Sequence, residues 1–181
     1  MPVSAAHIRA VIDGYLHDRP DQASCLAPVL SLLGRGVDLT DRRQWAGHLT
    51  ASAIVVNPQG RILLVQHVKY DRFLQPGGHL EVSDTTLAGA AVRELGEETG
   101  VRDVQPLTTG PLHISVHPIP PWPQSGELAH VHFDVRFAYA STCDIGALQL
   151  DEVRSARWMA PADLTDPSLR EALALMPEPT S

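Results

Sequence analysis

Three glutamates at helical spacing are the residues of this sequence best suited to chemistry: Glu94, Glu97 and Glu98. They lie in a predicted helix at about 85–99, between a Pro-Gly-Gly turn and Gly100, where a left-handed residue is expected. They continue the apolar stripe of that helix instead of lying opposite it. Such carboxylates repel one another unless a cation compensates, and their hard oxygens suit Mg²⁺ or Mn²⁺. We therefore predict a divalent-metal site, with a solvated acidic face as the alternative.

Around these glutamates the chain resembles the Nudix hydrolases. The signature of that family opens with a glycine, which is Gly78 here, and closes with the run 93–101, RELGEETGV, which matches throughout. One position departs from the signature. Asp84 stands where its first glutamate belongs, and eight residues instead of seven separate it from Arg93. In the family that glutamate mainly holds the loop by pairing with the arginine. The departure therefore affects the expected contact between Asp84 and Arg93. The resemblance covers roughly 48–175.

The resemblance implies an α/β chain with the Nudix fold, a mixed β-sheet sandwiched between helices. It implies a metal-dependent hydrolase that cleaves a pyrophosphate bond in a nucleoside diphosphate linked to another group, by water attack on phosphorus. Mg²⁺ or Mn²⁺ is the implied cofactor. The implied metal ligands are the Gly77 carbonyl, Glu94, Glu97 and Glu98, and Arg93 joins the three glutamates as a catalytic residue.

A further acid is expected to orient or deprotonate the water. It is one of the three glutamates or an acid on a later loop, for which the candidates are Glu127, Asp144, Asp151 and Glu152. Two alternative functions use the same fold: a nucleotide-binding sensor without hydrolysis, and an isopentenyl diphosphate isomerase-like enzyme. The complete glutamate set argues against the sensor. The isomerase needs a cysteine in a Cys-and-His motif, and neither Cys25 nor Cys143 has such neighbours.

A second polar group lies on one face of a predicted strand at 129–140. Strand residues alternate between two faces, so AHVHFDVRF divides into an apolar face and a polar face. The polar face carries His130, His132, Asp134 and Arg136. We predict that this face lines the substrate pocket. The alternatives are a solvated sheet face and a second site for a transition metal, because His-x-His on a strand can chelate one.

Three more residues are predicted to contact the substrate. His79 follows Gly78 directly and either reaches a metal-bound water or a phosphate, or braces the loop. Phe73 precedes the same turn and is expected to pack beside the site. Trp122 lies in the proline-rich loop 118–128, where an aromatic side chain either contacts a ligand or packs.

The spacing of the apolar residues changes near residue 45, which predicts two regions. Residues 1–45 are a helical extension with helices at 5–17 and 21–34, which caps the main domain or, alternatively, makes a homodimer contact. Residues 46–176 are the predicted Nudix hydrolase domain, and 177–181 form a tail. The predicted elements of the domain are strands at 48–56 and 61–68 joined by an Asn-Pro-Gln-Gly turn, strands at 104–117, 129–140 and 155–160, and a closing helix at 161–175.

Composition excludes several other classes of protein. A chain of 181 residues with 44% apolar content can bury one good core. A formal charge of −7 with only 14 Lys plus Arg argues against dedicated nucleic-acid binding, so the expected partner is a small nucleoside diphosphate derivative. Two cysteines far apart favour a reducing, cytoplasmic compartment. The sequence predicts neither a signal peptide nor a membrane span.

Overall fold

The structure, a computed structural model, describes residues 2–177, so the predicted tail lies outside the described residues apart from Pro177. Its α-helices are α1 (Ala5–Asp18), α2 (Ala23–Gly34), α3 (Leu87–Thr99) and α4 (Pro167–Leu173). Its strands are β1 (His48–Val56), β2 (Ile62–His67), β3 (Arg72–Leu74), β4 (Gly77–His79), β5 (Gln105–Pro106), β6 (His113–Ile119), β7 (His130–Ala140) and β8 (Val153–Met159). Short 3₁₀ helices occupy Pro20–Gln22, Pro123–Ser125 and Pro161–Asp163. Within the described range, no helix combines the length and the apolar character that crossing a membrane requires.

The most apolar strand, β1, lies inside a mixed sheet of eight strands. β2 and β4 pair with it antiparallel, and β7 pairs with it parallel. β5 and β6 extend the sheet from β7, and β3 and β8 extend it from β2. In the parallel pair, His48 lies opposite His132 and Thr50 opposite Asp134. Polar residues that are far apart in the sequence are therefore brought onto one face of the sheet.

The sheet separates two apolar cores, because successive strand residues point to opposite faces. Leu49 and Ala51 of β1 belong to the larger core, which they share with α1, α2 and α3. Ile54 of the same strand belongs to a smaller core, which it shares with Leu169 and Ala172 of α4. The predicted fold class, a mixed sheet between helices, is confirmed.

The N-terminal helices pack into the larger core. Their buried side chains are Ile8, Ile12 and Tyr15 of α1 and Leu26, Val29 and Leu32 of α2. In addition, Nε2 of His7 accepts a hydrogen bond from the backbone N–H of Leu87 at 3.2 Å. The first turn of α3 is thus tied directly to α1. The alternative role of these helices, a homodimer contact, stays a prediction.

Two of the predicted helices are shorter in the structure. The helix predicted at 21–34 is preceded by a 3₁₀ turn, and α2 itself begins at Ala23. The closing helix predicted at 161–175 is also divided, because Pro167 occupies the first turn of α4. Proline has no N–H for an intrahelical hydrogen bond, so it begins a helix more readily than it continues one. Asp166 caps this new start by accepting from the backbone N–H of Leu169 at 3.0 Å.

The single strand predicted at 104–117 is two strands, β5 and β6. Between them the segment 108–111 turns, and the Thr108 hydroxyl donates to the Gly110 carbonyl at 2.7 Å. The Thr-Thr-Gly-Pro sequence of this segment is a turn signal that the alternation of the flanking residues concealed. Both strands pair with β7, so the correction leaves the order of the sheet intact.

Candidate active site

Local capping sets the position of helix α3. It begins at Leu87, two residues later than predicted, because the hydroxyl of Thr86 accepts the N–H of Gly89 at 3.0 Å and caps the first turn. It ends as predicted at Gly100, whose φ of +71° is left-handed. Because Thr86 caps the helix, the side chain of Asp84 is available for another role.

The acidic residues of α3 meet the Gly-Gly strand β4. Glu98 is 1% exposed and Glu94 is 7% exposed, whereas the Glu97 side chain is 39% exposed. The backbone N–H of Gly77 donates to a carboxylate oxygen of Glu98 at 3.0 Å. A Cβ atom at Gly78 would lie 2.7 Å from Oε1 of Glu94, so only glycine lets the strand approach this closely. We call Gly77, Glu94, Glu97 and Glu98 the carboxylate site.

Arg93 joins the parts of this site. Its guanidinium donates to both carboxylate oxygens of Asp84, from Nε and Nη2, at 3.0 Å each. Nη1 donates to Glu94 at 3.0 Å and to Glu97 at 2.8 Å, and Nη2 also donates to the His79 carbonyl at 2.9 Å. The brace that the sequence departure called into question is therefore present. The extra residue before Arg93 offsets the shorter side chain of Asp84.

Burial of two carboxylates without enough donors makes the site electrostatically unusual. Burial raises the pKa of Glu98 to about 8, against a smaller lowering by the Gly77 N–H, and the charges of Glu94 and Glu152 raise it further. Burial likewise raises the pKa of Glu94 to about 7, although Arg93 opposes the shift. Carboxyl groups with such pKa values hold a proton near neutral pH unless a cation replaces it.

A divalent cation fits this donor set. Glu94, Glu97 and Glu98 supply hard oxygen atoms from one helix, and one of these oxygens already contacts β4 through Gly77. Mg²⁺ and Mn²⁺ prefer carboxylate, carbonyl and water oxygens. The alternative of a solvated acidic face does not hold for Glu94 and Glu98, because both are buried.

The polar face of β7 is buried, which makes the solvated-face interpretation wrong. His130, His132, Asp134 and Arg136 are each less than a tenth exposed. At one end of the face α4 lies over Arg136, whose Nη1 donates to the Ser168 hydroxyl at 2.9 Å, and at the other end the rings of Trp45 and His48 lie against His130. Asp134 accepts hydrogen bonds from four side chains: Thr50 at 3.1 Å, Ser52 at 2.7 Å, Gln75 at 3.1 Å and Arg136 at 2.8 Å. Asp134 and Arg136 thus form an internal ion pair, and their contact with substrate stays a prediction.

Histidines from three strands meet at one end of the same face. The ring centroids of His130 and His132 lie 4.9 Å apart, and those of His79 and His132 lie 5.3 Å apart. A fourth member, His48, was not predicted from the sequence, and its ring lies 4.7 Å from that of His132. The sequence shows a histidine at the start of an apolar strand. It does not show that this strand pairs in parallel with β7, which is what brings His48 opposite His132.

The two predicted aromatic contacts lie in different surroundings. Phe73 on β3 is half-buried beside the smaller core, with the guanidinium of Arg157 3.8 Å from its ring centroid. Trp122 is 37% exposed, and Nζ of Lys69 lies 5.5 Å from its ring. Lys69 also forms an ion pair with Glu127, one of the candidate loop acids. The ring of Phe73 is thus partly packed against the protein, whereas the ring of Trp122 is partly exposed to solvent beside the Lys69 ammonium group.

Of the four loop acids, Glu152 acts most directly on the carboxylate site. Its charge raises the pKa values of both Glu94 and Glu98. Glu152 itself is exposed, and its backbone carbonyl accepts the N–H of Val68 at 2.8 Å just before β8. Asp144 instead lies with Asn57 and Cys143 in a pocket beside the β1–β2 turn. The tertiary structure thus separates candidates that the sequence left equal.

Comparison with known sequences identifies the domain to which most of the chain belongs. A model of the NUDIX domain matches residues 47–176. The Phosphatase NudJ of Escherichia coli (strain K12) is 48% identical over 56 residues, which are 30% of this chain and 35% of that protein. The chain therefore matches only about a third of the length of these curated relatives.

Solved structures share the fold at low identity. A hydrolase of the NUDIX family from Clostridium perfringens gives a TM-score of 0.55 at 22% identity, covering 71% of this chain and 95% of that one. The NUDIX domain of Shewanella oneidensis NrtR, in complex with ADP ribose, gives 0.51 at 19% identity, covering 69% and 83%. Because the family model spans more than half of the sequence, the resemblance is confirmed, and the chain belongs to the NUDIX domain family.

Proposed function

We propose that this protein is a hydrolase that cleaves a pyrophosphate bond in a nucleoside diphosphate derivative, with Mg²⁺ or Mn²⁺ as its cofactor. The observation that carries the proposal is the buried pair Glu94 and Glu98 against the Gly-Gly strand. Burial, with repulsion from neighbouring carboxylates, raises the pKa values of Glu94 and Glu98 to about 7 and about 8, and a bound cation would relieve this state. Family membership supplies the class of reaction.

The carboxylate site would hold the cofactor through Glu94, Glu97, Glu98 and the Gly77 carbonyl. When bound, the metal neutralises charge that develops on the phosphoryl oxygens and on the leaving group, the main catalytic contribution in phosphoryl transfer. Arg93 acts as a positioning residue in this proposal. It holds the loop through Asp84 and the His79 carbonyl and aligns Glu94 and Glu97 on the helix.

We further propose that Glu152 orients the attacking water. It is the loop acid whose charge acts on both buried glutamates, and its exposed carboxylate is open to solvent. A general base has to lie within hydrogen-bond reach of the water that it activates. If this assignment is correct, Glu152→Gln lowers kcat by about a hundredfold, whereas Asp144→Asn, beside the β1–β2 turn, has no effect on kcat.

The substrate proposal rests on two features outside the carboxylate site. The ring of Trp122 is 37% exposed beside the ammonium group of Lys69, which would exchange its ion pair with Glu127 for a substrate phosphate next to a base or sugar. The NUDIX domain of Shewanella oneidensis NrtR was solved with ADP ribose. Nucleoside diphosphate sugars are therefore the first class to test. The free cysteines Cys25 and Cys143 favour a reducing compartment, so we place the reaction in the cytoplasm.

A substrate screen tests the proposal directly. The full chain is incubated with nucleoside diphosphate sugars, dinucleoside polyphosphates and nucleoside triphosphates, each with Mg²⁺ or Mn²⁺, in water labelled with ¹⁸O. We expect metal-dependent turnover of at least one class, with label in one phosphate-containing product. Binding without turnover under either metal would favour the nucleotide sensor instead. Loss of substrate without incorporation of label would favour transfer or isomerisation.

A further inference from the structure

Three buried histidines outside the carboxylate site share one small volume, and we call them the histidine cluster: His48, His130 and His132. His48 begins β1, while His130 and His132 begin β7 and lie on the same face of it. The ring of His48 stacks on that of His130 at a centroid distance of 4.8 Å, and it lies 4.7 Å from the ring of His132. All three are less than a tenth exposed. Buried polar side chains this close together require an arrangement that satisfies each nitrogen.

Two of the rings are held by backbone carbonyls in one tautomer. Nδ1 of His130 lies 2.7 Å from the Leu128 carbonyl, and Nδ1 of His48 lies 3.3 Å from the Gln44 carbonyl. A carbonyl oxygen only accepts hydrogen bonds, so in both rings Nδ1 carries the proton and Nε2 carries the lone pair. This arrangement, in which an Nδ1–H donates to a carbonyl, is how proteins orient histidines that bind metals through Nε2.

The resulting lone pairs are not fully matched by donors. Nε2 of His130 lies 3.0 Å from Nε2 of His132, and one ring N–H can satisfy that contact. Nε2 of His48 is buried and has no hydrogen-bond partner among residues 2–177. A buried acceptor without a donor is destabilising, so the three side chains do not satisfy one another by themselves.

We propose that the histidine cluster is a binding site for one transition-metal ion, with Zn²⁺ as the preferred ion. The ligand atoms of the three residues lie within 4.8 Å of one another. Two nitrogens on one tetrahedral Zn²⁺, each at about 2.0–2.1 Å from the metal, lie about 3.4 Å apart, so small side-chain rotations close the site. Imidazole nitrogen selects Zn²⁺ over Mg²⁺, which distinguishes this site from the oxygen ligands of the carboxylate site.

The fourth coordination position is filled by water or by His79. The His79 ring lies 5.1 Å from that of His48 and 5.3 Å from that of His132. The carbonyl of His79 accepts from Arg93, so an ion in this site would steady the loop that carries Gly77 and Gly78. The site itself does not depend on the proposed hydrolysis.

Zinc binding by the full chain tests this proposal without reference to activity. The protein is stripped of metal with a chelator, supplied with excess Mg²⁺ to occupy the carboxylate site, and titrated with Zn²⁺ in a calorimeter. We expect one equivalent to bind and to raise the melting temperature. His48→Gln and His132→Gln should each weaken binding by about a hundredfold. His113→Gln is the matched control, because His113 is also buried on this sheet but lies outside the cluster.

Two further measurements keep the test decisive if a cluster variant fails to fold. Co²⁺ in the wild-type protein should give the intense visible absorption of a tetrahedral, nitrogen-ligated ion, and His79→Ala should change this spectrum only if His79 is the fourth ligand. Glu98→Gln should leave zinc stoichiometry at one. The proposal is overturned if wild-type protein binds no Zn²⁺ in excess Mg²⁺, if Co²⁺ gives an octahedral spectrum, or if Glu98→Gln rather than His48→Gln abolishes binding.

Discussion

The carboxylate site and the histidine cluster are neighbours, yet burial acts on them in opposite ways. Burial raises the pKa of Glu98 to about 8, which favours the protonated form and makes a cation compete with a proton. Burial lowers the pKa of His132 to about 2, which favours the neutral form that binds metals. The carboxyl groups of a buried acidic site are therefore ionised at neutral pH only when a cation is bound. The rings of a buried histidine site are already neutral, the form that binds a metal ion, before the ion arrives.

The two regions also differ in how their side chains are brought together. Glu94, Glu97 and Glu98 share one helix, so their spacing alone makes them neighbours. His48 and His132 lie on different strands and meet only because β1 and β7 pair in parallel. A substitution in the carboxylate site is expected to alter activity. A substitution in the histidine cluster is expected to alter zinc affinity or stability.

The largest expected effect is on the carboxylate site. Glu97→Gln and Glu98→Gln each remove a charge while keeping the side chain's shape, and we expect kcat to fall about a thousandfold, which is about 4 kcal/mol in transition-state stabilisation. Stability should stay the same or rise slightly for Glu98→Gln, because a buried carboxyl group is replaced by a neutral amide. Steady-state kinetics and urea unfolding on the same samples measure both quantities. Glu171→Gln, an exposed acid on α4, serves as the control.

Turnover at the wild-type rate in both glutamine variants would contradict the proposed difference between the two sites, because the carboxylate site would then have no catalytic role. A loss of zinc binding together with the loss of activity would also contradict it, since the two sites would then not be separate. An inactive Glu98→Gln protein that still binds one equivalent of zinc would show that the carboxylate site and the histidine cluster act separately.

A comparable effect, on the free energy of unfolding and not on activity, is expected beside the histidine cluster. Arg136→Ala leaves Asp134 buried without its cation, and we expect the free energy of unfolding to fall by about 3–5 kcal/mol. The matched control is Arg154→Ala, whose ion pair with Asp71 is exposed and worth less than about 1 kcal/mol. Urea unfolding at neutral pH measures both. Unchanged stability with a raised KM would instead support the substrate-binding role predicted from the sequence.

The smallest expected effect is a pH dependence of stability due to His113. Burial, followed by the charge of Arg136, lowers the pKa of this ring to about 4, and Arg19 adds to the shift while Glu171 and Asp134 oppose it. In the unfolded chain its pKa is about 6.5. Above that pH the ring is neutral in both states and imposes no penalty. As the pH falls below it, the unfolded chain binds a proton that the folded protein excludes, so stability falls.

The matched variant for this effect is His113→Gln. Between about pH 7.5 and about pH 5.5, the wild-type protein should lose about 1 kcal/mol more stability than the variant, because only the wild-type ring takes up a proton on unfolding. Urea unfolding at the two pH values gives the difference. An equal change in the free energy of unfolding with pH for the two proteins would mean that His113 titrates normally in the folded state. The surroundings of His113 would then be more accessible to water than the histidine cluster.

Most of the fold followed from local patterns. The alternation in β1 and β7, the turn at Asn57–Gly60 and the helical spacing of α3 are properties of short segments, and all lie close to where they were predicted. The errors lie where a local pattern was ambiguous. The alternation at 104–117 continues through a turn, and the apolar residues at 161–175 continue past Pro167. Strand and helix boundaries of this kind depend on which backbone groups find partners in the sheet.

The grouping of residues in the carboxylate site was predictable from the sequence, because one helix carries its glutamates and one turn carries its glycines. The contact of Asp84 with Arg93, and the packing of α4 over Arg136 on the polar face of β7, became visible only in the folded protein. Strand pairing also brings His48 beside the histidines of β7. The physical reason is that these contacts join segments whose distance is set by strand pairing and packing, and no periodicity within a single segment encodes that distance.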